Sequence, residues 1–128
     1  MTTQVLLALK NYALPIAVIY TLLVAFVSFM SLSELPDLTI VTHQDKIVHV
    51  LMYLFFAFFW YNYLESYTDF ALVIAIAIAA IFGIIVEVLQ GSMTSERQFD
   101  YYDISANVVG ALLSIVLVKH FKKHVKKI

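Results

Sequence analysis

The chain contains no cysteine, which excludes disulfide frameworks, thiol nucleophiles and zinc–thiolate centres. Charge is the second scarcity. Charged residues make up 13% of the 128 positions and apolar residues 62%, against about 25% and about 45–50% in an average soluble domain. So thin a polar coat cannot cover a small globule in water, and lipid is the solvent that suits this composition. The net charge of −1 offers no basic face to a polyphosphate, so nucleic acid is excluded as a partner. Segments alternating apolar and polar at period two are missing, which argues against a membrane barrel. The length fits one bundle of a few membrane helices.

Where the charges are missing gives the spans. Ala13 to Leu32 carries no ionisable group over twenty residues, and at about 1.5 Å per residue such a helix crosses a hydrocarbon core of about 30 Å. Pro15 falls in its opening turn, where a missing N–H breaks no helical bond. The stretch is too long, and Lys10 alone too weak a basic start, for a cleaved signal peptide ending at Ser31-Leu32-Ser33. Ile47–Leu64 makes a second span, rich in aromatics from Phe55 to Tyr63, and Phe70–Gln90 a third with Glu87 as its one charged residue. Ile104–Val118 makes a fourth, short at fifteen residues, with Tyr101, Tyr102 and Lys119 at headgroup depth.

The expectation is therefore an all-α polytopic membrane protein with four transmembrane helices in one domain. Lys10 precedes the first span, and Lys119, Lys122, Lys123, Lys126 and Lys127 follow the fourth, leaving Lys46 and Arg97 for the other polar segments. By the positive-inside rule both termini are cytoplasmic. The segments 33–46 and 91–103 then lie outside and carry Glu34, Asp37, Asp45, Glu96, Asp100 and Asp103. The basic tail serves topology and contact with anionic lipid, and His43, His120 and His124 titrate in solvent.

Polar residues inside the spans carry the functional information, because a carboxylate in hydrocarbon must be protonated, paired or wet. Ala71, Ala75, Ala79 and Gly83 form a small-residue stripe at i,i+4 spacing that continues to Glu87, which points this carboxyl, and Gln90 beside it, into the bundle. Asp45, Lys46, His49 and Tyr53 share one face of the second span. Asp103 and Asn107 stand one turn apart on the fourth, beside the stripe Ala106, Gly110 and Ser114. Because the second and fourth spans start where the third ends, His49, Glu87, Gln90, Asp103 and Asn107 fall within about two turns of the same surface. Lys46 and Arg97 lie above them. The expectation is one polar site at the outer membrane boundary, or, more plainly, a salt-bridged latch closing that end.

In order and spacing, Asp45-Lys46-x-x-His49-x-x-x-Tyr53, Glu87-x-x-Gln90, Arg97 with Asp100 and Asp103, and Asn107-x-x-Gly110 resemble the VanZ-like family of small bacterial membrane proteins. The match runs from Asp45 to Gly110, about half the chain. It implies a multi-pass protein of the bacterial cytoplasmic membrane, in a family named for an accessory protein of resistance to the glycopeptide teicoplanin. It supplies no reaction. Family members often carry proline or glycine just before the arginine, whereas this segment reads Gly91-Ser92-Met93-Thr94-Ser95-Glu96.

Three functions fit these residues. In the first, Lys46 and Arg97 clamp the phosphate of an anionic lipid-linked envelope precursor, such as a polyprenyl phosphate, while His49, Gln90 and Asn107 hydrogen-bond its headgroup. The surrounding acids must then be paired or bridged by a cation. In the second, the chain is a hydrolase or transferase with His49 as base, Glu87 as acid and Asp103 in support, or with a divalent metal held by Asp45, His49, Glu87 and Asp103. In the third, it is a module that packs against an envelope protein or against copies of itself. Tyr53 and the phenylalanines read as core and lipid contacts in all three.

Overall fold

The computed structural model describes residues 3–29, 44–93 and 101–125, and these are almost entirely helical. The helices are α1 (Thr3–Asn11), α2 (Ala13–Phe29), α3 (Gln44–Leu64), α4 (Ala71–Met93) and α5 (Tyr101–Val125). Three spans are long and apolar enough to cross a membrane, Lys46–Leu64, Ala71–Gln90 and Tyr101–His124, and the bent α1–α2 pair supplies a fourth when taken together. The chain is a polytopic all-α protein, as its composition demands.

Pro15 explains the first feature that the sequence did not announce. It cannot donate to the Asn11 carbonyl and its ring would strike that group, so the helix breaks just before it. Tyr12 still bonds back to Ala8, Ile16 bonds to Tyr12 at 3.0 Å, and between the two segments the axis turns by 79°. The segment before the first span is therefore a helix of its own. Residues 30–32, expected to complete that span, lie outside the described residues. The helix that carries the fourth span is longer than its apolar stretch. α5 runs from Tyr101 to Val125, because Lys119, Lys122 and Lys123 are good helix formers that can extend past the apolar layer.

α3 and α5 run parallel, with Lys46 against Asp103 near their starts and the Phe58 and Phe121 rings edge to face at 5.2 Å toward their ends. α4 runs the other way and lays its small stripe on them, where Ala75 and Ala79 are fully buried and Ala71 nearly so. Gly110 lets α5 touch the α3 backbone: a Cβ there would overlap the Val50 carbonyl and lie 3.0 Å from Val50 Cα. α2 is tied to α3 by polar clasps. The Tyr20 hydroxyl donates to the Met52 carbonyl at 2.6 Å, and the Trp60 indole donates at 2.9 Å to the Thr21 hydroxyl, itself bonded to the Ala17 carbonyl. Such clasps matter in lipid, where burial alone drives little helix association.

One end of the bundle holds α1, the turn linking α3 to α4 and the last turns of α5. There Leu6 is buried with Phe58, Tyr61, Ala71, Ala75, Val118 and Phe121. The turn is closed by Tyr67 and Thr68 bonding back to Leu64 and by the Thr68 hydroxyl accepting from the Phe70 amide. The flanks carry bare apolar side chains: Ile19, Leu22, Phe26, Val73, Ile81 and Val116 each expose more than half their surface. In water so large a patch would drive association; against lipid it is the ordinary exterior.

Candidate functional site

At the other end, the starts of α3 and α5 bring four of the expected residues together. The Lys46 ammonium donates to Asp103 Oδ1 at 2.5 Å, a partly buried ion pair. One turn deeper, His49 Nδ1 and Asn107 Oδ1 are 2.8 Å apart. An amide oxygen only accepts, so Nδ1 carries the proton and donates. That leaves Nε2, in the neutral ring, with the lone pair. Nε2 lies 4.0 Å from the same Asp103 oxygen that holds Lys46, beyond hydrogen-bond reach. Lys46 and His49 thus address one carboxylate from the same helix face, the first bonded to it and the second at a distance.

α4 shapes this cluster from behind. Asn107 is 2% exposed and lies against Gly83, where a Cβ would come within 2.9 Å of Asn107 Nδ2 and 3.2 Å of Tyr53 Cε1. Gly83 is therefore the gap that admits both side chains. Tyr53 is buried, its ring stacked with Phe56 at 5.7 Å and tilted against Phe82 at 6.5 Å. Glu87, one turn beyond Gly83, is 3% exposed and within electrostatic range of Tyr53. The stripe does point it inward. Gln90, also buried, donates through Nε2 to the Ser28 carbonyl in the last described turn of α2. Its partner is thus a backbone group that the side-chain pattern of the sequence did not reveal.

Lys46, His49, Asp103 and Asn107 form one connected group. Tyr53, Gly83 and Glu87 form the buried layer behind them, and Gly110 sets the helix spacing. Arg97 and Asp100 lie outside the described residues, as does the side chain of Asp45. Among the described residues no three His, Asp or Glu side chains gather into a metal-binding group. Lys46 is paired with Asp103, so an anion that binds it must compete with that carboxylate. The cluster can supply an ammonium that exchanges partners, an imidazole lone pair and a carboxylate, within reach of the bundle end.

Sequence missed two polar features. His120 is exposed, as expected, but His124 is half-buried, and the two rings meet edge to face at 4.4 Å. Asn62, in the other half of the bundle, is buried, and both amide atoms lack hydrogen-bond partners among the described residues.

Membrane helices packed around an ionisable cluster at one end define a multi-pass membrane protein with a polar end site. The family profile described as VanZ/LLP1 matches residues 9–122, nearly the whole chain, and the chain belongs to that family. No curated protein and no solved structure matches it.

Proposed function

We propose that the cluster at the starts of α3 and α5 binds the anionic headgroup of a membrane lipid, of the polyprenyl-phosphate type that carries envelope precursors. The observation that carries this reading is the Lys46–Asp103 pair, with side chains 26% and 16% exposed, standing beside His49 at the end of an otherwise apolar bundle. A phosphate that draws Lys46 off Asp103 gains a charge-assisted bond beside the His49 ring. Arg97, in the adjoining segment, would add a bidentate fork. The lysine distribution favours the extracytoplasmic face of the bacterial cytoplasmic membrane for this end. The family's link to glycopeptide resistance fits a role at the envelope.

The test is native mass spectrometry of protein released from membranes in mild detergent. Wild type should retain a phospholipid or polyprenyl phosphate, Lys46→Ala and Arg97→Ala should lose it, and Lys123→Ala at the opposite end should keep it. Equal retention by all four folded proteins would sink the reading. A second reading rests on the His49 tautomer. With Nδ1 bonded to Asn107, Nε2 would serve as the general base, with Asp103 to stabilise the charged ring and Glu87 as a buried acid. It requires turnover of the retained lipid, with or without added divalent metal, that His49→Ala abolishes.

A further inference from the structure

Asn62 is a buried polar side chain that belongs to neither the site nor the helix clasps. It lies two residues before the end of α3, is 4% exposed, and leaves both Nδ2 and Oδ1 without a hydrogen-bond partner among the described residues. An amide with donor and acceptor both unsatisfied in a membrane helix is costly, and such groups usually mark a water or a polar ligand.

Its surroundings are polar on one side only. Asn62 shares a helix face with Phe58, one turn back, which packs with Leu6 of α1 and Phe121 of α5. Next to it, the Tyr61 hydroxyl donates to Glu65 at 3.3 Å, Lys10 pairs with Glu65 at 3.1 Å, and the Lys122 ammonium stands 5.3 Å from the centre of the Tyr61 ring. Lys10, Tyr61, Glu65 and Lys122 thus draw α1, α3 and α5 together at this end. Lys10 and Glu65 are paired with each other and Lys122 stands over the Tyr61 ring, so an uncharged group satisfies Asn62 without adding a buried charge. A ligand that satisfies it is neutral and offers a donor and an acceptor within one small group. A hydroxyl does both.

We infer that Asn62 forms a second, buried polar site, at the opposite end of the bundle from His49, that takes a hydroxyl group donating to Oδ1 and accepting from Nδ2. Two sources share this chemistry, water and the glycerol hydroxyl of a phospholipid headgroup. Asn62 stands near the end of its span, which closes at Leu64. The site is independent of the headgroup reading at the His49 end.

The chain has three asparagines, Asn11, Asn62 and Asn107, so selective asparagine 15N labelling of the full chain gives three side-chain amide groups. The spectrum is recorded in micelles of chain-deuterated lysophosphatidylglycerol, whose glycerol protons stay visible. Asn62→Leu assigns the Asn62 signal by its loss; where that variant does not fold, Asn11→Ser and Asn107→Ser together assign it by elimination. Cross-relaxation from the Asn62 amide protons to water is expected and identifies water as the source. Cross-relaxation to glycerol protons supports the site with lipid as the source. Contacts to protein protons alone, with neither hydroxyl source, overturn the inference.

Discussion

Gly110 shows how much one missing methyl group can set. Its neighbour is the Val50 carbonyl, a backbone group inside α3 that has no rotamer to change. In Gly110→Ala the two helices must separate, and the loss should be about 2 kcal/mol in thermal or denaturant unfolding in micelles. The Lys46–Asp103 pair makes a different kind of prediction. Asp103→Asn removes the carboxylate bonded to a partly buried ammonium and should cost about 2 kcal/mol, whereas Lys46→Met with Asp103→Leu should restore most of that stability. If the double variant is as weak as the single one, the loss does not come from the ammonium left behind by Asp103→Asn. Most of this layer was legible beforehand. Spacing placed Lys46 and His49 on one face, Asp103 and Asn107 on another, and the alanine stripe aimed Glu87 inward. What spacing could not give was which atom meets which. Gln90 finds a main-chain carbonyl on α2, and a backbone partner leaves no mark in a pattern of side chains.

Helix α1 is the element that the sequence concealed. Its nine residues include Thr3, Gln4, Lys10 and Asn11, so it never reaches the apolar length that identifies a span, and it is too short to stand alone. It exists because Leu6 enters the cluster with Phe58 and Phe121 and because Pro15 stops it from merging with α2. Burial, rather than charge, should therefore hold it. Leu6→Ala should cost about 2 kcal/mol by opening a cavity, while Lys10→Gln, which removes only a partly exposed ion pair to Glu65, should cost less than about 1 kcal/mol. Hydrogen exchange on the α1 amides separates the two: fast in Leu6→Ala, close to wild type in Lys10→Gln. The extra turns of α5 were hidden for a related reason. A hydropathy boundary marks where the apolar layer ends, and a helix rich in lysine continues beyond it.

For the whole molecule the membrane class and the alternating path of the spans were readable because absent charge is a long-range signal that survives ignorance of packing. Which face looks outward is still open to a direct check, made easier by a chain with no native cysteine. Ser66→Cys lies in the turn between α3 and α4, and Ser92→Cys in the last turn of α4, both exposed. In intact cells an impermeant maleimide should label Ser92→Cys and spare Ser66→Cys, and the opposite result would invert the orientation. The parallel course of α3 and α5 has an electrostatic consequence at that end. Both helices begin there, so their peptide dipoles align and each presents roughly half a positive charge at its start. α4 ends there and presents the opposite sign. The end of the bundle is therefore divided laterally, positive over α3 and α5 and negative over α4, even while Asp103 neutralises Lys46. An arriving anion is steered to one side of the bundle before any side chain moves, and a zwitterionic headgroup would lie across it in a single direction.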